Sequence, residues 1–347
     1  MRNTKETLMY ILKRILLMIF TFLVIFIICF FLIRLLPLDK ATGPGKDPKQ
    51  FYMMQEALGR MYKGKDGEYH RTPIIIQLFN FVKNLIVPAR YQIDDVWHYT
   101  SRWGYSWQIS WLATPDSLLG KGLPPTILIN IYSIIISVPL GLGLGIYMAL
   151  KKNKWQDHVL SILVMLLISV PSFVDAFLLQ HIFAYKLNWL PPVRADFNGS
   201  WVSPAMFKSM ILPVISMSFG SIAGYARYTR AELTEVLTSD FMLLARTKGL
   251  SRGQATVRHA FRNSLVPIFP MILGEILSIL SGSIIIENIF SVNGVGGLFL
   301  QSIQMKDYDV FQFVAMFYIL IGLVGSLVVD ISYGLVDPRI RMGGGKQ

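Results

Sequence analysis

Ionisable side chains inside long apolar runs are the first candidates for chemistry, because a charge in such a run is costly and usually serves a function. Glu275 lies about ten residues into one run, roughly 15 Å from its start at 1.5 Å per helical residue, with Ser278 one turn further on. It either lines a polar pathway and contacts an amine or ordered water, or is a buried carboxylate satisfied by a neighbouring helix or a partner chain. Asp175, His181 and Asp330 lie in other apolar runs.

Two patterns that could indicate an enzyme fail on inspection. The stretch PLGLGLGIYMA (residues 139–149) is rich in glycine, but no Lys-Ser or Lys-Thr pair follows it, as a phosphate-binding loop requires. Its glycines suit close packing between membrane helices instead. Ser281 and Ser283 flank a glycine, yet the Gly-x-Ser-x-Gly turn of serine hydrolases is missing. We therefore expect a chain that is not an enzyme by itself and binds no cofactor or metal.

The composition indicates a membrane protein. Hydrophobic residues make up 53% of the 347 residues and charged residues only 16%, whereas soluble domains carry about 25% charged residues. The net charge of +12 is better explained by basic cytoplasmic loops than by nucleic-acid binding. With Cys29 as its one cysteine, the chain can form no internal disulfide.

The apolar runs predict six transmembrane helices, since about 20 helical residues cross the hydrocarbon core. The first run is longer than the core of a cleaved signal and lacks a small-residue cleavage site, so we expect it to remain as a span. The predicted fold class is an all-α polytopic membrane protein. Its spans are predicted at 15–36, 126–150, 159–185, 209–226, 265–290 and 311–336.

Basic residues in the short loops predict the direction of these spans. They cluster after spans two, four and six, so the positive-inside rule places both termini in the cytoplasm. This divides the chain into a tail with the first span (1–36), an extracytoplasmic loop or subdomain (37–123) and a core of five spans (124–347), with a cytoplasmic loop at 227–263. The basic residues are Lys151, Lys152, Lys154, Arg227, Arg230, Arg246, Lys248, Arg252, Arg258, Arg262, Arg339, Arg341 and Lys346.

The 37–123 segment is rich in aromatic residues. Such rings favour the membrane interface, and they also suit a docking surface for an outside partner. The two interpretations are compatible, and the sequence leaves both open. The aromatic residues are Tyr91, Trp97, Tyr99, Trp103, Tyr105, Trp107 and Trp111.

The cytoplasmic loop contains the stretch FMLLARTKGLSRGQATVRHAFRN (residues 241–263), which predicts a helical hairpin. A residue at 238–240 can cap a first helix, which ends at Gly249, a residue that tolerates a left-handed conformation. Ser251 and Gln254 form the pattern of a capping box at the start of a second, basic helix. The apolar face of Phe241, Leu243 and Leu244 suits either a groove of a soluble partner or the membrane surface.

This hairpin resembles the EAA loop of ABC importer permeases, in the form found in the oligopeptide, dipeptide and nickel permeases. That family has a basic helix of the form LRHALRN after the glycine, and this chain has VRHAFRN at 257–263. Leu243, Leu244 and Ala245 stand where the broader superfamily has Glu-Ala-Ala, a departure that is usual in the peptide subfamily. The resemblance implies an ATPase-coupling loop made of Leu243, Leu244, Ala245, Arg246, Lys248, Gly249, Leu250 and Ser251.

Three further stretches resemble the same family in the same order. RLLPLDKA (34–41) resembles the family's RLLPGDPA, ENIFSVNGVGGL (287–298) resembles ETVFSWPGLGRL, and DISYGLVDPRIR (330–341) resembles the family's ending. Leu38, Lys40, Val292 and Asn293 depart from these patterns. We expect Asp330 to be structural, near Arg339. The implied structural residues are Glu287, Gly294, Gly296, Asp330, Asp337, Pro338 and Arg339.

The resemblance implies a B-type membrane subunit with the six-helix type I importer fold and a large extracytoplasmic loop. Such a subunit pairs with a homologous C-type permease in the bacterial cell membrane. Two ABC ATPases, which bind the ATP and Mg, dock on the cytoplasmic side, and a substrate-binding protein delivers peptide from outside. Contact with lipid is expected, and contact with nucleic acid is not. The alternatives are import of nickel or another small solute and, from the residues alone, an ATP-independent secondary transporter.

Overall fold

The computed structural model describes residues 4–37, 47–93, 96–194 and 200–336. Four of the described helices are long and apolar enough to cross a membrane, and the number rises to six if each of two bent helix pairs is one span. In chain order the helices are α1 Thr4–Leu35, α2 Pro48–Ala57, α3 Ile74–Ile86, α4 Pro115–Leu150, α5 Trp155–Ser169, α6 Ser172–Leu179, α7 Pro204–Leu237, α8 Asp240–Thr247, α9 Arg252–Ala255, α10 Phe261–Ser264, α11 Phe269–Leu277, α12 Ile284–Ile289, α13 Val295–Gln304 and α14 Tyr308–Val336.

Shorter helical pieces join some of these helices. A π-helix, Gln180–Lys186, continues α6, and another, Thr256–Ala260, connects α9 with α10. A 3₁₀ turn, Ser278–Leu280, follows α11. Two antiparallel hairpins lie in the segment between α1 and α4: β1 Met61–Lys63 with β2 Tyr69–Arg71, and β3 Arg90–Ile93 with β4 Val96–Tyr99. The membrane-spanning part is thus all-α as predicted, while the 37–123 segment adds two small sheets.

The described residues form two compact units. The first unit takes those within 1–18, 124–296 and 321–347, and the second unit takes those within 19–123 and 297–320. The predicted domain boundary at 124 coincides with one edge of the first unit. The second unit, however, also recruits part of α1 and residues 297–320, which are far from the 37–123 segment in sequence.

Small residues bring α4 and α7 together in the first unit. A Cβ added at Gly141 would lie 2.9 Å from the Ile222 carbonyl oxygen, and one at Gly145 would lie 2.7 Å from that of Ala226. Real Cβ atoms do not approach backbone so closely, so these positions require glycine. The glycine-rich stretch therefore serves helix packing, as the sequence predicted.

Two aspartates just before and at the start of α14 hold the second unit together. Asp307 accepts a hydrogen bond from Ser106 Oγ (2.6 Å) and another from the Trp107 backbone N–H (3.1 Å). Burial raises the pKa of Asp307, and these hydrogen bonds oppose that rise. Asp309 accepts from Arg60 (2.7 Å) and from Trp107 Nε1 (3.2 Å). Residues some 200 positions apart in sequence are thus fixed to one another.

Predicted spans three and five are not single straight helices. Span three is the pair Trp155–Ser169 and Ser172–Lys186, bent by 98°. The bend falls at Pro171, which has no backbone N–H and forces the preceding Val170 into an extended conformation. In the fifth, Gly253–Ser264 and Phe269–Leu280 meet at 50°, and a second break at Gly282, with φ of +63°, separates α12.

Other span boundaries also differ from the predictions. Span four was predicted at 209–226 but is the 34-residue helix α7, which continues about three turns past the predicted end. Helix α4 begins at Pro115 rather than at residue 126, and it contains Pro124, Pro125 and Pro139. Hydropathy alone missed these extensions because the added turns carry polar and charged residues that suit a surface outside the hydrocarbon core.

Candidate functional site

The predicted hairpin forms at 240–264. Helix α8 ends at Thr247, Lys248 follows as its C-cap, and Gly249 takes a φ of +92°, a left-handed conformation that favours glycine. The capping box is present: the Ser251 backbone N–H donates to Gln254 Oε1 (3.1 Å), and the Gln254 N–H donates to Ser251 Oγ (3.3 Å). Ser239 precedes α8, but its hydroxyl donates to the Val236 carbonyl instead of capping the helix.

One face of α8 is buried and the other is exposed. Met242 and Ala245 are buried in a cluster with Leu233 at the end of α7, and Leu250 packs against that cluster. On the opposite side an apolar patch faces outward, with Leu243 63% and Leu244 55% exposed, and Phe241 is exposed as well. The buried face fixes α8 on the long helix α7, and the exposed leucines are left for another molecule or a surface.

The hairpin also exposes several basic side chains. Arg246 and Lys248 are exposed at the end of α8, and Arg258, His259 and Arg262 are exposed on the second half of the hairpin. Residues 241–263 contain no acid. The hairpin therefore exposes both leucines and several bases, with Asp240 as an exposed acid at its start, and a net positive surface of this kind suits a partner with acidic residues.

Glu275 is bound by the neighbouring helix α7. Ser221 Oγ donates to Glu275 Oε1 (2.7 Å), and the Tyr225 hydroxyl donates to Oε2. Ser278, which is exposed, donates its hydroxyl to the Glu275 backbone carbonyl (2.8 Å). Glu275 therefore has hydrogen-bond partners on a neighbouring helix, which is one of the two arrangements that the sequence left open.

Glu275 also lines a polar cavity of about 260 Å³ in the first unit, which we call the Glu275 cavity. Its wall offers several hydroxyl and amide groups that can donate or accept hydrogen bonds, with one carboxylate among them. The Glu275 side chain is half-buried and so remains open to whatever occupies the cavity. The lining residues are Asn130, Ser133, Ile134, Met217, Ser221, Glu275, Ser278, Ser281 and Gly282.

A second cavity lies beside the Glu275 cavity. It measures about 460 Å³, and Met217 belongs to the walls of both. Asp175, for which the sequence indicated no role, lines it near the bend at Pro171. His181 is exposed and lines neither cavity.

Glu287, for which the resemblance implies a structural role, is buried in the first unit. It is 1% exposed and accepts a hydrogen bond from Thr126 Oγ1 (2.8 Å). A Cβ added at Gly294 would lie 2.5 Å from Glu287 Oε2, and one at Gly296 would lie 2.8 Å from the Ile284 backbone nitrogen. Both glycines therefore leave room for a buried carboxylate and a tight turn.

Asp330, which the sequence predicts to be structural, has a partner in the first helix. Asp330 forms an ion pair with Arg14 of α1 (2.9 Å), which ties the first helix to the last within the first unit. The predicted helix end near Arg339, together with Asp337 and Pro338, lies outside the described residues.

The sequence did not predict a buried ion pair between α5 and α7. Asp157, at the start of α5, is fully buried and accepts two hydrogen bonds from Arg230 of α7, at 2.6 and 2.7 Å. The Asn153 backbone N–H also donates to it (3.0 Å). The sequence identifies Arg230 only as one of the basic residues of the cytoplasmic loop. An acid in the first turn of a helix was the available signal, but nothing in the sequence points to its partner.

The chain is similar to known membrane transport components. Residues 141–342 match the family described as "Binding-protein-dependent transport system inner membrane component". The dipeptide transport system permease protein DppB of Bacillus subtilis is 33% identical over 338 residues, covering 96% of this chain and 98% of that protein. The glutathione transport system permease protein GsiC of Escherichia coli K12 is 30% identical over 335 residues, covering 96% and 98%.

A solved structure supports the fold. The MetNI methionine ABC transporter, in an inward-facing conformation, aligns with a TM-score of 0.51 and 13% identity. The alignment covers 64% of this chain and 97% of that chain. At this identity the likeness concerns the fold alone.

Proposed function

The chain belongs to the family of binding-protein-dependent transport system inner membrane components, and we propose that it is the permease subunit of an ATP-driven peptide importer. It is a multi-pass membrane protein, and near full-length relatives are named as dipeptide and glutathione permeases. The observation that carries the proposal is the Glu275 cavity: its wall is polar and holds one carboxylate. Such a wall suits a solute with many amide groups and a free amine, which describes a short peptide.

In this proposal the hairpin is the contact with an ATPase. Leu243 and Leu244 enter a groove of that partner, while the exposed bases of the hairpin meet acidic residues of its surface. Met242 and Ala245 fix α8 to the cluster at the end of α7. A displacement of α8 by a closing ATPase therefore moves α7 as a rigid body.

Helix α7 connects the hairpin with the Glu275 cavity. The same helix carries Leu233 under α8 and, about two and three turns earlier, Tyr225 and Ser221 bonded to Glu275. A shift of α7 therefore acts directly on the hydrogen bonds that hold the carboxylate. This is how binding of ATP to an ATPase docked on the hairpin would alter the hydrogen bonds that hold a peptide in the cavity.

The remaining parts of the importer are supplied by other chains. A homologous C-type permease completes the pathway, two ABC ATPases bind ATP and Mg, and a substrate-binding protein delivers the peptide. Both termini and the hairpin lie in the cytoplasm of a bacterial cell, as the positive-inside count predicts. The exposed bases of the hairpin support this orientation.

The test of the hairpin contact is a charge placed in the apolar patch. Leu244→Glu should weaken co-purification of the ATPases with this chain by about tenfold or more. The change removes about 1.5–3 kcal/mol of apolar burial and forces a charge into the interface. Leu244→Met, which keeps the apolar contact, is the matched control and should bind normally. Equal recovery of ATPase with both variants would show that the patch is not the docking site.

A further inference from the structure

Helix α3 of the second unit buries polar side chains and exposes apolar ones, the reverse of a surface helix in a water-soluble domain. Its polar side chains Gln77 and Asn84 are buried. Gln77 Nε2 donates to the Thr72 carbonyl (2.6 Å), and Asn84 Nδ2 donates to that of Ser101 (2.9 Å). The polar groups of this helix are therefore used inside the unit to hold the adjoining backbone.

The outward face of α3 is almost entirely apolar. Ile75 and Ile86 are each 74% exposed and Phe79 is 71% exposed, and Ile76 and Val82 extend the same face. Lys83 is also exposed on this side. A lysine can bury its aliphatic stem in an apolar environment and still place its ammonium at a polar boundary.

The depth of α3 follows from what it packs against. The Phe81 ring lies 5.8 Å from that of Phe26 and 5.5 Å from that of Phe30, both in α1, and Met316 of α14 belongs to the same buried cluster. Phe26 lies nine residues before Leu35, the last residue of α1, or about 13 Å along the helix. Since α1 and α14 both qualify as membrane spans, α3 lies beside their hydrocarbon-facing turns rather than beyond their ends.

We propose that α3 is embedded in one leaflet of the bilayer, as a non-spanning helix whose outward face contacts lipid acyl chains. Its 13 residues extend about 20 Å, too short to cross a core of about 30 Å. In the orientation proposed above, this is the outer leaflet. The 37–123 segment is then partly a membrane anchor and not wholly an aqueous loop.

The hairpin that follows α3 fits the adjoining interface. Trp97 and Tyr99 are exposed on β4, and amphipathic aromatic rings concentrate where hydrocarbon meets headgroups. Thr100, directly after β4, donates its hydroxyl to Asn84 Oδ1 (2.8 Å), so the hairpin is fixed to the end of α3. The order along the chain is therefore an apolar helix in the hydrocarbon and then aromatic residues at its boundary.

Lipid fits this face better than a protein partner does. Protein interfaces are only about 56–58% non-polar and depend on hydrogen bonds around their rims. The outward face of α3 offers five large apolar side chains and a single ammonium, that of Lys83. Such a face offers a folded protein partner almost no hydrogen-bonding groups, whereas lipid acyl chains form no hydrogen bonds and need only apolar contact.

The test measures the environment of a spin label on this face in the complete complex reconstituted in lipid nanodiscs. Cys29→Ala removes the chain's one cysteine, and Phe79→Cys then carries the label, with cysteine-free partner subunits. We expect collisions with oxygen, which partitions into lipid, to exceed those with a water-soluble nickel complex. Lys65→Cys, in the exposed turn between β1 and β2, is the control and should show the reverse order.

Two results would overturn the proposal. Low accessibility to both reagents at position 79 would indicate a protein partner on this face, and high accessibility to nickel would indicate water. Ile75→Cys reports on the same face and replaces Phe79→Cys if that variant fails to assemble. The measurement does not depend on the transported solute, so failure of the peptide proposal would leave its outcome unchanged.

Discussion

At the scale of single residues, the geometry of Glu275 is compatible with both of the roles that the sequence presented as alternatives. Its oxygens accept from Ser221 and Tyr225, yet the side chain remains part of the cavity wall. A carboxylate accepts about four hydrogen bonds, so two hydroxyls do not exhaust it. The protein can hold the group in place and still offer it to a ligand.

Replacement of Glu275 with Gln should separate its contact with α7 from its proposed contact with a peptide. The amide oxygen can still accept from α7, so the complex should assemble normally. The loss of charge removes a charge-assisted hydrogen bond to a peptide amine, worth about 1.5–3 kcal/mol, or about tenfold or more in uptake at limiting peptide. The measurement is uptake of labelled peptide by reconstituted complex, with the exposed Glu235→Gln as the control. Uptake at the wild-type level by the Glu275→Gln variant would contradict the proposed contact between Glu275 and the peptide.

The sequence predicted which residues to examine but not what they contact. Glu275 was identified because a charge in an apolar run is unusual, whereas its partner Tyr225 is 50 positions away and depends on how α11 packs on α7. Asp309 was missed altogether. It lies near the outer end of a predicted span, where an acid is unremarkable, and its ion pair with Arg60 links residues 249 positions apart.

At the scale of elements, capping and turn residues predicted the structure correctly where it depends on neighbouring residues alone. The hairpin formed with its glycine turn and its capping box because both depend on residues within four positions of one another. The bends within spans three and five were not predicted, for the opposite reason. Hydropathy averages over a window and does not register a bend, although Pro171 and Gly282 were present to cause one.

Gly249 provides a test of the hairpin geometry. A Cβ there meets nothing within 4 Å, so Gly249→Ala adds only backbone strain from the φ of +92°, about 1 kcal/mol or more. We expect ATP-driven uptake to fall more than ATPase activity does, because the strained turn changes the angle of α8 in the variant and so weakens the coupling of the ATPases to the spans. Gly253→Ala is the matched control, since Gly253 lies in α9 with open space around it and alanine favours helix. Equal effects of the two substitutions would contradict the assignment.

At the scale of the whole molecule, the membrane class followed from composition, but the division of the chain did not. The sequence assigned 37–123 to an outside loop because its hydropathy is mixed and its length exempts it from charge counting. In the structure α3 packs on α1 and α14, and Asp307 and Asp309 join the second unit from the far end of the chain. Only tertiary contacts could reveal that α3 exposes its apolar side.

We propose that this chain moves peptide only as part of an ATP-driven complex. The most direct measurement is uptake of a labelled peptide into proteoliposomes that contain this chain with its partner permease. The ATPases and ATP are inside the vesicles, and the binding protein is outside. We predict uptake that requires ATP hydrolysis and the binding protein and stops when the ATPases are omitted. Uptake by the membrane subunits alone, or uptake indifferent to ATP, would contradict the account and favour an ATP-independent transporter.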